Sequence, residues 1–571
     1  MKKPRSLKSS LIEVLAAPLL ILIIGECVAR FDIVGALLWI VTKPHLFLLS
    51  YALLASVSLI LFAAFKRPAM STTLLALITI IMAGLNAGLC LTREHPMLPI
   101  TLVCGIDFIF MMFRDWMFGV GLPLAFAAVA AIIIVVKKLT DERRPQVGKK
   151  VRLTSLAAGV GVLAIGFMLC TLLPKNESNI HAQIADNGYT NTFTQYLAEP
   201  AITDIGEVKK PDYEVAEAQG NTPDIIVIKL ESFSDGDDYA SIAPDLTPNL
   251  HRAASEGLSG KVLTTAYGGN TCSSCFEVLT GYSAAFTTAS TSCYGDLLLF
   301  AKEQKSLAGA LKEQGYASTY ISCCYPEFTH EKGVSKLFGF DSFVDESQFD
   351  YSAANVPDSM LAERIISDYE NRDKSKPMFI TALTMENHFT FDPDNYDVLD
   401  YDYQANDMFT EAENRTLLGY FNGLSDDDEL IGTLLDYFST VENEVDIVMF
   451  ADHRPILGSN LSVYKKMGYI PEDFHYETAT EKDIDFLNGS PYVIWNNKGQ
   501  LEPERTEKPI APAYLLPMLF EQRGIKGNDV SDFLIAAKEV VPNYGTASFK
   551  LGEYDREYTD YYHYLCRRDV M

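Results

Sequence analysis

Five apolar runs in the first 174 residues limit what the amino-terminal part of this chain can become. They lie at Leu11 to Val28, Leu46 to Phe65, Ser71 to Leu91, Met117 to Val136 and Thr154 to Leu173. Each is long enough to cross a hydrocarbon layer of about 30 Å as a helix. The shorter run Leu98 to Phe113 carries Asp107 and reads as an interfacial or re-entrant segment, as does Ile33 to Val41. No small-residue cleavage site closes the first run, so it is expected to stay as an anchor. Lys and Arg set the direction of insertion. Lys2, Lys3, Arg5, Lys8, the loop pair Lys66 and Arg67, and the seven basic residues from Lys137 to Arg152 place thirteen charges on one side. Only Arg30, Lys43, Arg93 and Arg114 fall on the other. The amino terminus is therefore expected in the cytoplasm and, after five crossings, everything beyond Pro174 outside.

The charge division agrees. Residues 1–174 hold 17 Lys/Arg and 8 Asp/Glu, which leaves 30 of the 47 basic and 66 of the 74 acidic residues to the remainder of the 571-residue chain. A soluble part with a net charge of −36 repels phosphate backbones, so nucleic-acid binding is not expected. Residues 175–223 are polar and broken by Asn-Gly, Glu-Pro and Lys-Pro pairs, and read as a linker between a membrane domain (1–174) and a soluble domain (224–571).

From Asp224 onward, short β-type runs alternate with helical patterns. Ile225 to Leu230, Ser318 to Ser322, Met378 to Leu383 and Asp446 to Phe450 are apolar on both faces, as strands of a covered parallel sheet are. Ser306 to Gln314, Ser359 to Tyr369 and Asp427 to Tyr437 read as helices. The alternation predicts an α/β domain with a mainly parallel sheet flanked by helices, whose ligands bind beyond the carboxyl ends of the strands. Those ends carry Glu231, His388, and Asp452 with His453. Between the first two strands, Gly268-Gly269 leads into Thr271 and an apolar, helix-compatible run, which places the Thr271 hydroxyl at a predicted helix amino terminus. Two carboxylates, an imidazole and a hydroxyl form a mixed O/N set suited to Mn²⁺, Mg²⁺ or Zn²⁺, and a metal there activates the hydroxyl as a nucleophile. Each residue alone has an ordinary reading: Thr271 and Ser274 as helix caps, Glu231 as a first-turn acid, His388 as a loop histidine, Asp452-His453 as a turn.

Together, Glu231-Ser232-Phe233, Gly268-Gly269-Asn270-Thr271 followed by Phe276 to Gly281, Asn387-His388-Phe389, and Asp452-His453-Arg454-Pro455 resemble the lipoteichoic acid synthase and phosphoglycerol transferase family, within the alkaline phosphatase and sulfatase superfamily. The resemblance implies five spans and an extracellular sulfatase-like catalytic domain. It also implies Glu231, Thr271, Asp452 and His453 as ligands of a divalent metal, usually Mn²⁺, a covalent glycerophosphate on Thr271, and His388 at the phosphoryl group. The implied donor is phosphatidylglycerol or a related lipid, and the acceptor a cell-envelope polymer or glycolipid. Three positions depart from the family: Cys275 where a glutamate is frequent, and Ser322 and Glu331 where a pocket histidine and arginine are expected. They leave open a phosphoethanolamine transferase or phosphodiesterase on the same centre, and a non-catalytic membrane sensor that keeps the fold. Asp428 also matches a recurrent acid of the family. Cys272, Cys275, Cys293, Cys323, Cys324 and Cys566 fall in the part expected outside, where bridges are expected within the Thr271 loop or from it to Cys293, Cys323 or Cys324.

Overall fold

The structure, a computed structural model, describes residues 6–30, 32–93, 96–99, 135, 147–174, 180–198, 208–265, 267–269, 271–287, 293–294, 297, 304–325, 330–474, 479–501, 503–544 and 555–569. It divides into two compact units, Met1–Thr203 and Asp204–Met571.

In the first unit, four described helices are long and apolar enough to cross a membrane: Leu7–Ala29, Pro44–Phe65, Pro68–Ala87 and Lys149–Thr171. The expected span 117–136 and the expected re-entrant segment 98–113 lie outside the described residues, apart from positions 98, 99 and 135. Ile33 to Val41 falls in a 10-residue helix, Ile33–Thr42, too short to span. The stretch read as an irregular linker is partly folded. It contains helices Ile180–Asn187 and Tyr189–Ala198. Tertiary partners hold them: the Glu26 carboxylate accepts hydrogen bonds from the Tyr189 and Thr190 amides at 3.0 and 3.1 Å, and Asn191 donates to the Leu46 carbonyl at 3.0 Å. An acid at a helix amino terminus satisfies donors that the helix cannot.

The second unit is built on one eight-stranded sheet: β1 Asp224–Leu230, β2 Leu258–Leu263, β3 Ala317–Ser322, β4 Ser342–Val344, β5 Met378–Leu383, β6 Val445–Ala451, β7 Gly489–Asn496 and β8 Glu504–Arg505. The order is β4-β3-β5-β1-β6-β7-β2-β8. The four strands expected from their apolar runs are β1, β3, β5 and β6, and with β4 they pair in parallel. On the other flank β7 runs antiparallel to both β6 and β2, so the sheet is mixed. Every residue of β1, β5 and β6 is buried, and each Ile or Val there contributes roughly 1.5–3 kcal/mol through removal of its side chain from water. Because β1 lies between β5 and β6, the carboxyl ends of these three strands open on one edge.

Of the three expected helices, two match closely, as Leu307–Glu313 and Asp358–Glu370. The third is much longer than Asp427 to Tyr437. It runs Glu411–Ser439 and starts at a reciprocal cap between Thr410 and Glu413. Its interior glycines serve close approach. A Cβ at Gly423 would lie 2.6 Å from Asn387 Oδ1, and one at Gly419 would lie 2.7 Å from the Phe391 carbonyl carbon, so the loop after β5 packs directly on the helix. Asp428 caps a neighbouring helix, Pro248–Glu256. Its two carboxylate oxygens accept from the Asn249 amide at 2.9 Å and the Leu250 amide at 2.8 Å.

Candidate active site

Glu231 follows β1 directly, and Asp452 and His453 follow β6, which pairs with β1 from Asp224 opposite Val445 to Leu230 opposite Ala451. That register brings the three side chains together: one ligand-type atom from each lies within 4.8 Å of the others. His453 Nε2 is 3.3 Å from Asp452 Oδ2 and 3.6 Å from Glu231 Oε1. Thr271 is the first residue of helix Thr271–Thr280. Its Oγ1 lies 3.4 Å from Glu231 Oε2 and 3.5 Å from His453 Nε2. Asp452 Oδ1 accepts from the amides of Ser232 (2.9 Å) and His453 (2.8 Å). Its Oδ2 is buried with no hydrogen-bond partner. His453 Nδ1 faces the Arg454 carbonyl at 3.3 Å; donation there leaves the Nε2 lone pair directed at Thr271 and the acids. An orphaned carboxylate oxygen beside an imidazole, a second carboxylate and a hydroxyl fits a divalent cation.

The backbone around the site is held tightly. Ser232 adopts a left-handed conformation (φ 53°), the turn that sends its amide to Asp452. Gly268, at φ 66°, donates its amide to the Arg454 carbonyl at 2.7 Å and leaves no room for a Cβ against Ile456. Arg454 is itself buried, with Nε donating to the Phe486 carbonyl and Nη2 to Asp238 Oδ2, both at 2.7 Å.

His388 is not part of this cluster. It stands on the loop after β5, half-buried, with Nδ1 2.9 Å from the Phe389 carbonyl, and close enough for its charge to act on Glu231. The departing residues meet one another: Ser322 Oγ donates to Glu331 Oε2, and both are buried. Cys275 is also buried, and burial pushes its thiol well above the usual range, with Glu331 and Asp452 adding to the effect and Lys229 opposing it. The expected bridges are absent: no disulfide joins the eight described cysteines, and Cys293 Sγ instead donates to the Cys272 carbonyl at 3.4 Å.

The sequence reading missed Lys229. Its ammonium is buried 2.8 Å from Glu231 Oε2 and 3.9 Å from Asp452 Oδ2. The available signal was a single charge inside the otherwise apolar run Ile225 to Leu230. Burial alone lowers a lysine, but the Glu231 and Asp452 carboxylates outweigh it and hold Lys229 above its ordinary range. For Glu231, burial acts upward and is outweighed by Lys229, His388 and His453, which keep the carboxyl below the usual carboxylate range. Asp452 is pushed up, by burial first and then by the Glu231 charge.

Among known protein families, the sulfatase model matches residues 223–525, more than half of the chain. The chain belongs to the sulfatase family. This sulfatase-family chain is 27% identical over 315 residues to the putative cyclic beta-1,2-glucan modification protein of Rhizobium meliloti, covering 55% of the chain and 47% of that relative. It is 32% identical over 90 residues to the lipoteichoic acid synthase of Staphylococcus aureus, covering 15% and 14%. The aligned regions thus span less than half of either relative. Among solved structures, the Streptococcus pyogenes phosphoglycerol transferase GacH in complex with sn-glycerol-1-phosphate is similar at 18% identity and a TM-score of 0.48, covering 62% of this chain and 91% of that one. The resemblance expected from the motifs holds through the lipoteichoic acid synthase relative and through the phosphoglycerol transferase I of Xanthomonas campestris, 27% identical over 155 residues, covering 25% of this chain and 22% of that relative.

Proposed function

We propose that this protein is a membrane-anchored, metal-dependent phosphotransferase that takes glycerophosphate from phosphatidylglycerol, or a related lipid, and passes it to a cell-envelope polymer or glycolipid. The observation that carries this reading is the Thr271 hydroxyl, poised at a helix amino terminus within 3.5 Å of both Glu231 Oε2 and His453 Nε2. Glu231, Asp452, His453 and Thr271 would hold the metal, Mn²⁺ in first place and Mg²⁺ or Zn²⁺ as alternatives. When bound, a divalent cation offsets phosphoryl charge and lowers the pKa of a hydroxyl it contacts.

In the first transfer, a bond forms between Thr271 Oγ and phosphorus while the bond from phosphorus to the diacylglycerol oxygen breaks. Thr271 gives up its proton, and the departing diacylglycerol oxygen gains one. In the second transfer, an acceptor hydroxyl oxygen bonds to phosphorus, the bond to Thr271 breaks, and the threonine regains a proton. Glu231, held ionised, accepts the Thr271 hydrogen bond and orients the hydroxyl. The amino-terminal end of the Thr271–Thr280 helix would favour the charge of the phosphoryl oxygens. His388 contacts the phosphoryl group from the loop after β5.

The membrane domain (1–174) anchors the catalytic domain (224–571) at the outer leaflet, where the lipid donor lies, with residues 175–223 between them. The basic-residue bias supports an extracellular site. The glucan named for one relative is a polyhydroxyl compound, chemically suited to be an acceptor. The test is incubation of the purified protein with labelled phosphatidylglycerol and Mn²⁺. Release of diacylglycerol is expected, and its absence overturns the reading.

One observation favours a different head group on the same centre. The buried Ser322 and Glu331 pair presents a carboxylate where the family places basic residues, which suits an amine-bearing head group such as phosphoethanolamine. Phosphatidylethanolamine in a parallel incubation separates the two readings by which lipid is consumed.

A further inference from the structure

A lysine in the middle of a sheet is costly unless its charge is met, because an unpaired buried ion loses several kcal/mol of hydration. Lys229 meets that cost at the candidate centre. It is 0% exposed, and its ammonium reaches Glu231 Oε2 at 2.8 Å and Asp452 Oδ2 at 3.9 Å. Both oxygens point into the centre. Glu231 Oε2 also receives the Thr271 hydroxyl, and Asp452 Oδ2 is the orphaned atom facing His453 Nε2. The ammonium therefore draws on the same two negative charges that a divalent cation would use. With neither cation present, two buried carboxylates near one imidazole would repel each other and swing apart.

We propose that Lys229 is a positioning residue that acts as the internal counter-ion of the metal-free centre, keeping Glu231 and Asp452 assembled before the metal arrives. This rests on the metal-centre reading above. Its consequence is asymmetric: Lys229 stabilises the metal-free protein more than the metal-loaded one, because in the loaded centre the two carboxylates are already neutralised. The site is then pre-built and does not need its ion to assemble, unlike sites that form only around their ion.

The test measures the thermal midpoint of the full chain in detergent, with and without Mn²⁺, for the wild type and for Lys229→Met, which keeps length and apolar bulk but removes the charge. The metal-free variant should melt lower, and its Mn²⁺-induced rise should exceed the wild-type rise by at least about 3 °C. A residue with a merely structural role lowers both midpoints equally. An equal or smaller Mn²⁺-induced rise in Lys229→Met, with a clear rise in the wild type, overturns the role of Lys229 and leaves the metal centre standing. No rise in either protein overturns the metal centre, and this inference with it. A Lys229→Met protein that folds only with Mn²⁺ is the extreme of the expected result. Should it fold in neither condition, the Lys229→Met, Glu231→Gln double variant removes the carboxylate left uncompensated. Recovery of a folded metal-free protein is then expected, and failure to recover overturns the inference.

Discussion

Ser274 Oγ donates a 2.7 Å hydrogen bond to the main-chain carbonyl of Asp452. One turn past Thr271, the helix that carries the hydroxyl is thereby fastened to the residue that carries the orphaned carboxylate. Both groups are buried, so Ser274→Ala strands a carbonyl and should cost about 1–3 kcal/mol of stability. Loss of this outer contact should also lower turnover roughly 10–100-fold while leaving Thr271 in place. Chemical melts and diacylglycerol release, measured on the same preparation, check both. Wild-type turnover in a destabilised variant would show that the bond serves folding alone.

Thr271→Ala should reduce turnover at least about 10³-fold, since it removes the oxygen that attacks in the proposed mechanism. Thr271→Ser keeps the oxygen but loses the χ1 restriction of the β-branched side chain, and should retain part of the activity. Mass spectrometry of protein trapped with phosphatidylglycerol should find glycerophosphate on the peptide containing Thr271. An adduct on Ser273 or Ser274 instead would reassign the nucleophile.

Asp452→Ala should lose bound Mn²⁺ and activity together and remain folded, because the core lies in the sheet and not at its edge. Elemental analysis decides the point. Stoichiometric metal in the variant removes Asp452 from the ligand set.

Glu277, on the Thr271 helix, is buried, and burial pushes its carboxyl up to about 8 against hydrogen bonds from the Ala284 amide and Ser283 Oγ that act downward. A carboxyl raised on folding adds stability in full below its unfolded value, near 4.5, and loses it as the pH climbs through about 8. Within that window its share falls by about 1.4 kcal/mol per pH unit. Glu277→Gln keeps the accepting oxygen and cannot ionise. Urea melts from pH 5 to 8 should therefore give a flatter profile for the variant than for the wild type, and parallel profiles would show that Glu277 does not titrate in this range.

A reporter fused after Pro174 should be reached from outside the cell, and one in the loop from Lys137 to Arg152 only from the cytoplasm. Cytoplasmic labelling of the first fusion would cut the catalytic domain off from outer-leaflet lipid.

The strands at the centre of the sheet were readable because burial on both faces leaves an unbroken apolar run, as in Ile225 to Leu230 and Met378 to Leu383. β2 and β7 were not. Gly260 and Lys261 interrupt the first, and Pro491, which cannot donate to a ladder, sits inside the second. The part of the helix Glu411–Ser439 before Asp427 was hidden by Gly419 and Gly423, whose reason lies in the loop packed against them. The convergence of Glu231, Asp452 and His453 was legible from their places after parallel strands. Lys229 was not, because a lone lysine in a strand reads as a solvated residue until the opposing carboxylates are seen. Helices Ile180–Asn187 and Tyr189–Ala198 were missed for a similar reason, since the Glu26 carboxylate that caps the second is more than 160 positions away.

The strand order separates two tasks. Glu231, His388 and the Asp452-His453 pair hang from the adjoining strands β1, β5 and β6, whereas Ser322 ends β3, one position farther toward the rim. On the proposed function, a lineage could exchange residues around Ser322 and Glu331 to suit a new lipid without disturbing the loops that carry Glu231, His388, Asp452 and His453. The proposed function then makes donor choice a peripheral trait, open to grafting, carried on an unchanged chemical engine.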